Sequence, residues 1–255
     1  MCLIFLALNH HPRYKLVVAA NRDEFYQRKT APASYWQDHP HILAGRDLEA
    51  SGTWLGVTRH GKISLLTNFR DPKNIRPDAP TRGKLVSDFL QNGQHAEEYL
   101  TLLEPGAHRY NGFNLMAGTA DELWYFSNYG TGKQKLAHGF FGLSNHLLDT
   151  PWPKVVRGKD KIGQLLTQVT LEPAELFHAM YDEGRAADGE LPDTGIGLER
   201  ERALSSMFIK TSNYGSRCST VVLVDHDNEV TFAERVYDLR TFAYTDRVFR
   251  FKVST

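Results

Sequence analysis

Short apolar runs alternate with polar turns along the chain, and their spacing predicts strands joined as hairpins. Residues 2–8 (CLIFLAL) and 14–20 (YKLVVAA) are apolar runs of strand length, separated by a polar loop. Each run is too short for a typical helix, so the pattern predicts an antiparallel hairpin. A second hairpin is predicted where TWLGVTR precedes KISLLTNF, because Gly61 in the turn takes positive φ easily.

Later segments predict more strands and two pairs of helices. GFNLMAGT, ELWYFSNYG and HGFFGLSN are indicated as strands, and STVVLVD followed by EVTFAERVYD predicts a final hairpin. Residues 84–103 predict two short helices broken at NGQ. Residues 154–169 and 173–182 predict two further helices, the second with Pro173 just inside its start. Residues 183–197 have low hydrophobicity and are predicted to be a loop.

The fold class follows from the order of these elements. Residues 221–224 (VVLV) are apolar at successive positions, which is typical of a strand covered on both faces of its sheet. Strands, then helices, then strands, linked by hairpins, favour an α+β fold with mostly antiparallel sheets in a layered sandwich. We interpret residues 1–255 as one domain of this class.

Composition narrows the function classes. The 255 residues contain 30 Lys plus Arg and 30 Asp plus Glu, so nothing predicts a nucleic-acid partner. Two cysteines exclude a disulfide scaffold and favour a reducing compartment. No apolar run approaches a membrane span, which predicts no integral membrane association. Residues 3–8 are too short for a signal peptide and lack a basic segment before them, so we predict a cytoplasmic protein.

Cys2 is the first candidate for chemistry. Cysteine is small enough at position 2 for aminopeptidase removal of Met1, which would place a thiol and an α-amine on one residue. That amine has a pKa near ~8 and can act as a general base for the strongly nucleophilic thiolate. The alternative is that Cys2 is a small buried apolar residue of the first strand.

The charged run Asn21-Arg22-Asp23-Glu24 closes the second apolar segment. If the first two strands pair, the second returns past Cys2 and overshoots the chain terminus by a few residues, which brings Arg22 and Asp23 within reach of the thiol. An arginine there would lower the pKa of the thiol, and an acid would orient the amine. The alternative is a solvated turn with a local ion pair.

Other polar residues lie at strand ends. Asn68 and Arg70 end the second hairpin, and Asn145 follows an apolar run. An asparagine there can donate an amide hydrogen bond to an oxyanion, although a turn former is the plainer interpretation. Arg217 precedes a buried strand, where it would bind a carboxylate or oxyanion or form a surface charge. His39 and His41 flank a proline without a thiolate nearby, so we predict no metal site.

Several ordered motifs together resemble one known family. They are MCLI, AANRDEF, LAGRDLEASGTWLG, LLTNFRDP, TRGKLVSDFL, NGFNLMAG, GLSNHLLDTPWPKV and NYGSRCSTVVLV. In this order they resemble the NRDE family, also called the transport-and-Golgi-organisation-2 family, over roughly residues 1–240. The chain departs from the pattern at EASGTW, where two glycines are expected, and at Cys218, where serine or threonine is expected.

The resemblance implies a fold and a set of roles. The family is similar to N-terminal nucleophile (Ntn) hydrolases, which implies a four-layer αββα sandwich. Cys2 would be the nucleophile and Arg22 its assisting arginine. The remaining roles implied are the acid (Asp23 or Glu24), the oxyanion donor (Asn68 or Asn145) and the late arginine (Arg217). We also predict that Glu24, Trp54 and Arg70 contact the substrate.

The predicted function is hydrolysis or acyl transfer on an amide or acyl-thioester small molecule, with no cofactor required. The alternative is a non-catalytic protein that binds haem or an acyl lipid on the same fold. It follows from the family's association with haem trafficking and lipid metabolism. This alternative predicts an apolar pocket lined by aromatic residues such as Trp54, Phe113 and Trp124.

Overall fold

A computed structural model describes residues 2–254, which contain thirteen strands and five α-helices. The strands are β1 (Cys2–Leu8), β2 (Tyr14–Phe25), β3 (Thr30–Tyr35), β4 (Ile42–Asp47), β5 (Leu55–Thr58), β6 (Ile63–Asn68), β7 (Phe113–Gly118), β8 (Leu123–Ser127), β9 (Gln134–Lys135), β10 (Gly139–Leu143), β11 (Tyr214–Asp225), β12 (Glu229–Tyr237) and β13 (Tyr244–Lys252). The α-helices are α1 (Gly83–Gln91), α2 (Ala96–Leu103), α3 (Pro153–Leu165), α4 (Pro173–Met180) and α5 (Leu198–Ala203).

The strands form two antiparallel sheets. One has the order β10-β1-β2-β11-β12-β13, and the other runs from β3 to β9 in sequence order. Alternate side chains of each sheet point inward and form a shared core, including Leu6 and Val18 from the first sheet and Leu65 and Met116 from the second. This core holds the sheets face to face because burying it removes a large apolar area from water.

Helices cover the outer face of each sheet. On the first sheet, Phe5 and Val17 pack with Ile162 of α3 and Phe177 of α4. On the second sheet, residues of β7 pack against α1 and α2 in a separate apolar cluster. The four-layer αββα sandwich of mostly antiparallel sheets is therefore confirmed.

The first hairpin has the predicted pairing but a longer second strand. β2 continues through Asn21, Arg22 and Asp23 to Phe25, and these three polar residues are buried within the sheet. The interpretation of this run as a solvated turn is therefore wrong. The run lies beside the start of β1, as the hairpin predicts, with Arg22 directly opposite Cys2.

Four strands and one helix were not predicted. β3 and β4 precede the second hairpin, the two-residue β9 lies between two predicted strands, β13 follows the last hairpin, and α5 follows the predicted loop 183–197. None of the helices within residues 2–254 combines the length and apolar character needed to cross a membrane.

Candidate active site

Cys2 lies at the start of β1, directly opposite Arg22 of β2. Arg22 in turn lies opposite Cys218 of β11, so the residue has a cysteine opposite it on each neighbouring strand. Residues directly opposite in antiparallel strands share a face of the sheet. The pairing therefore places Cys2, Arg22 and Cys218 on one face.

The position of Arg22 is set by Trp54 and Glu24. Its guanidinium carbon lies 4.1 Å from the centre of the Trp54 ring, and Nη2 lies 3.8 Å from Oε2 of Glu24. Trp54 lies over Gly45, where an added Cβ would come within 2.3 Å of the ring. The absence of a side chain at Gly45 thus gives Trp54 room to stack on Arg22.

A cleft of about 260 Å³ opens beside Cys2. The predicted site residues that line it are Cys2, Arg22, Asp23, Glu24, Trp54 and Asn68. Asn145, Arg70 and Arg217 are not among its lining residues.

The Cys2 thiol is buried, and burial raises its pKa above the ordinary value. The positive charge of Arg22 lowers the thiol pKa, whereas the negative charges of Asp23 and Glu24 raise it further. The expected lowering of the thiol pKa by Arg22 is therefore outweighed by desolvation. A thiol in this environment needs a base to accept its proton when it attacks.

The pKa values of Asp23 and Glu24 are shifted in opposite directions. Burial raises the pKa of Asp23, whose carboxylate accepts a 2.6 Å hydrogen bond from Ser216 Oγ and is favoured by the Lys154 ammonium. Burial acts in the same direction on Glu24, but Arg22, Arg28 and the Phe25 N–H hold its pKa below the usual value.

Further buried charged side chains lie close to Asp23, and the first of them is Lys154. Lys154 of α3 is fully buried, and desolvation lowers its pKa to about 8. Its Nζ lies 3.4 Å from Oδ1 of Asn145. Arg70 makes a 2.7 Å ion pair with Glu201 of α5, and both side chains are almost completely buried.

Asn68 and Asn145 are placed differently from each other. Asn145 is buried, and its amide donates to the Asn68 carbonyl over 3.0 Å. It therefore supports the main chain of the cleft wall. The Asn68 side chain is half-buried and makes no hydrogen bond within residues 2–254, which leaves its amide available to a ligand.

Arg217 is a support for the loop after β2. It is the extra residue of a β-bulge between Ser216 and Cys218, and its Nη1 donates to three backbone carbonyls, those of Phe25 (2.7 Å), Tyr26 (3.1 Å) and Arg28 (2.6 Å). This geometry explains an arginine here without a ligand.

Arg82 is a cleft residue that the sequence reasoning missed. It is the residue before α1, lines the cleft, and donates from Nη1 to the Gly112 carbonyl over 2.9 Å. Burial lowers the pKa of its guanidinium, and the negative charge of Glu24 acts in the opposite direction. Its motif, TRGKLVSDFL, was visible, but only the fold brings the start of α1 close to the start of β1.

The aromatic pocket expected for a haem or lipid carrier does not form from the residues named. Phe113 and Trp124 belong to the cluster beneath α1 and α2, whereas Trp54 packs toward the core between the sheets. Among residues 2–254, no three His, Cys, Asp or Glu side chains converge as metal ligands. The predicted removal of Met1 concerns a residue outside the described range.

Comparison with known sequences decides the family. The family model described as Transport and Golgi organisation 2 matches residues 1–239. The chain belongs to the Transport and Golgi organisation 2 family. Two curated members are the mouse homolog, 37% identical over 256 residues with 92% of each chain covered, and the human homolog, 35% identical over 274 residues with 96% of this chain and 99% of the relative covered. The family assignment from the ordered motifs is confirmed.

Solved structures show the fold that this member of the Transport and Golgi organisation 2 family shares. The C2A mutant of conjugated bile acid hydrolase from Clostridium perfringens has a TM-score of 0.53 at 8% identity, covering 100% of this chain and 97% of that one. A Caenorhabditis elegans ortholog of N-acylethanolamine-hydrolyzing acid amidase has a TM-score of 0.51 at 9% identity, covering 87% and 92%. Both have the Ntn-hydrolase fold, so the predicted fold family is confirmed.

Proposed function

We propose that the protein is an Ntn-type thiol enzyme that cleaves, or transfers the acyl group of, a small-molecule amide or thioester. The observation that carries the proposal is the pairing of Cys2 with Arg22 at a cleft lined by both. The fold neighbours support it, since one is described as a bile acid hydrolase and the other as an acid amidase ortholog. Fold likeness alone does not assign an activity, so the argument depends on the site.

The first step requires that Met1 has been removed, so that Cys2 carries a free α-amine. The amine accepts the thiol proton as Sγ forms a bond to the substrate carbonyl carbon. Burial keeps the thiol protonated before attack, which makes this transfer part of the step. The ammonium then gives the proton to the leaving nitrogen or sulfur as its bond to carbon breaks.

The negative charge that develops on the carbonyl oxygen needs donors. Asn68 is suited to this role because it lines the cleft and its amide is unused within the described residues. One well-placed donor of this kind contributes about 3–4 kcal/mol to lowering the barrier. Asn145 would contribute indirectly, by holding the Asn68 backbone.

The second step releases the acyl group. The α-amine accepts a proton from water, or from an acceptor nucleophile, whose oxygen or other attacking atom bonds to the thioester carbonyl. The bond between Sγ and the acyl carbon breaks, and the ammonium returns its proton to the leaving thiolate, which restores the free amine and thiol. We assign amine orientation to Asp23, because its burial and its contact with Ser216 fix its position. Glu24 is assigned to hold Arg22.

Turnover of paired substrates tests the proposal. A panel of N-acyl amides and acyl thioesters with the same acyl chains would be assayed with wild type, Cys2→Ala and Cys218→Ala. Cys218 is the matched control, because it also lies opposite Arg22 but does not line the cleft. We expect turnover in wild type and Cys218→Ala and a loss of at least about a thousandfold in Cys2→Ala. Equal turnover in all three proteins would refute the proposal.

A further inference from the structure

We propose that the cleft selects acyl substrates whose non-reacting part carries a carboxylate, which Arg82 binds at the start of α1. The proposal rests on the proposed function for the reacting group, but the binding of the carboxylate is a separate property. It assigns to Arg82 a role in substrate selection, while Cys2 and Arg22 act at the carbonyl.

The first observation is the charge balance of the cleft. Three arginines line it, and two of them have acid partners: Arg28 pairs with Asp47 at 2.6 Å, and Arg22 with Glu24 at 3.8 Å. Arg82 makes no ion pair with any of residues 2–254 and uses one of its nitrogens on the Gly112 carbonyl. Arg82 is therefore the cleft arginine without an ion-pair partner among residues 2–254, and a ligand carboxylate would provide one.

The second observation is the start of α1. This nine-residue helix begins at Gly83, which lines the cleft beside Arg82, and the side chain of Arg82, its N-cap residue, makes no capping hydrogen bond. The beginning of a helix carries unsatisfied N–H donors and a partial positive charge, both of which favour an anion. Arg82 and the start of α1 would therefore both attract an anion to the same part of the cleft.

The third observation is a buried donor without a partner. The Arg22 side chain is only 6% exposed, and its Nη1 has no hydrogen-bond partner among residues 2–254. An arginine nitrogen left unsatisfied in a buried position is costly, which indicates that a ligand acceptor completes its contacts. Arg22 lines the same cleft as Arg82. A substrate bound there would offer its reacting carbonyl oxygen to Arg22 and its carboxylate to Arg82.

A matched pair of ligands tests whether the cleft recognises the negative charge of the carboxylate rather than its size. N-octanoylglycine carries a carboxylate, and N-octanoylglycinamide is its neutral analogue of nearly the same shape. Their affinities would be measured by calorimetry with Cys2→Ala, which cannot turn them over. We expect the carboxylate to bind roughly ten- to a hundredfold more tightly, the range for a charge-assisted hydrogen bond. Equal affinities would overturn the proposal.

Variants assign that preference to Arg82. In the Cys2→Ala background, Arg82→Gln is expected to abolish it, and Arg82→Lys to retain part of it, because lysine keeps the charge but loses the planar fork. Lys84→Gln is the matched control, since Lys84 is exposed on the same helix and does not line the cleft. A preference unchanged in Arg82→Gln, or equally reduced in Lys84→Gln, would overturn the assignment.

Two outcomes separate this proposal from the proposed function. If wild type cleaves both ligands at equal kcat/KM, the enzyme assignment stands and the carboxylate proposal fails. If the carboxylate is preferred in binding but neither it nor any panel substrate is cleaved, the subsite stands and the enzyme assignment fails. If Arg82→Gln does not fold, the salt dependence of wild-type cleft binding decides. The carboxylate advantage must then fall as sodium chloride rises, and a salt-independent advantage would refute it.

Discussion

Cys2 and Cys218 lie on opposite sides of Arg22, yet only Cys2 lines the cleft. Both thiols are buried, and burial raises the pKa of both. The two cysteines therefore differ mainly in access to the cleft rather than in their proximity to a cation. This makes each an internal control for the other.

The thiol of Cys2 should react slowly at neutral pH. In Cys218→Ala, alkylation of Cys2 by iodoacetamide is expected to remain slow at pH 7 and to accelerate above pH ~9, because burial raises the thiol pKa. Arg22→Gln should move the acceleration to still higher pH, since the cation that favours the thiolate is lost. Stopped-time labelling followed by mass spectrometry gives the rates. A midpoint near pH 7 would contradict this account.

The stacking of Trp54 on Arg22 depends on Gly45. Gly45→Ala would place a Cβ about 2.3 Å from the Trp54 ring, so the ring must move off Arg22. We expect a loss of about 1–3 kcal/mol in the free energy of unfolding and a fall in activity. Gly93→Ala is the control, because nothing lies within 4 Å of its Cβ position. Denaturant unfolding and tryptophan fluorescence would report the change, and indistinguishable variants would refute the packing argument.

Arg217 should act on stability more than on chemistry. Arg217→Met removes three hydrogen bonds to backbone carbonyls, so the free energy of unfolding should fall by about 1–3 kcal/mol. Arg240→Met, at an exposed position, should have little effect. Turnover measured well below the melting temperature should fall less than tenfold. A thousandfold loss in a stably folded Arg217→Met protein would restore Arg217 as a catalytic residue.

Lys154 should give the protein a characteristic dependence of stability on pH. Its folded pKa is lowered to about 8, so between pH 8 and 10 the unfolded chain holds a proton that the folded protein has lost. Stability must then rise with pH in this window, by about 2 kcal/mol relative to Lys154→Met. Urea unfolding of both proteins at pH 8, 9 and 10 measures the difference. A difference that stays constant would show that Lys154 is not desolvated as described.

The proximity of Cys2 to Arg22 was predictable from the sequence because it depends on local pairing. A short loop between two strands determines which residues lie opposite one another, and the register follows. Arg82 and Lys154 were not predictable in this way. They reach the site from helices on opposite outer faces of the sandwich, and no local sequence pattern indicates how those helices pack.

Two of the strands that the sequence did not reveal, β3 and β13, have weak patterns for physical reasons. β3 contains Pro32 and a register shift between Ala31 and Ser34, as edge strands often do, and β13 is an edge strand that is largely exposed. Such strands bury few side chains, so their apolar alternation is faint. The role of Arg217 was also hidden, because a β-bulge is visible only once the neighbouring strand is in place.

The central claim is that Cys2, freed of Met1, is acylated during turnover. The most direct test is mass spectrometry of the active protein, quenched in acid within milliseconds of mixing with a panel thioester that it turns over. The account predicts a mature chain beginning at Cys2 and a transient acyl adduct on that residue, present in Cys218→Ala and absent in Cys2→Ala. Active protein that retains Met1 throughout, or an adduct located only at another residue, would contradict it.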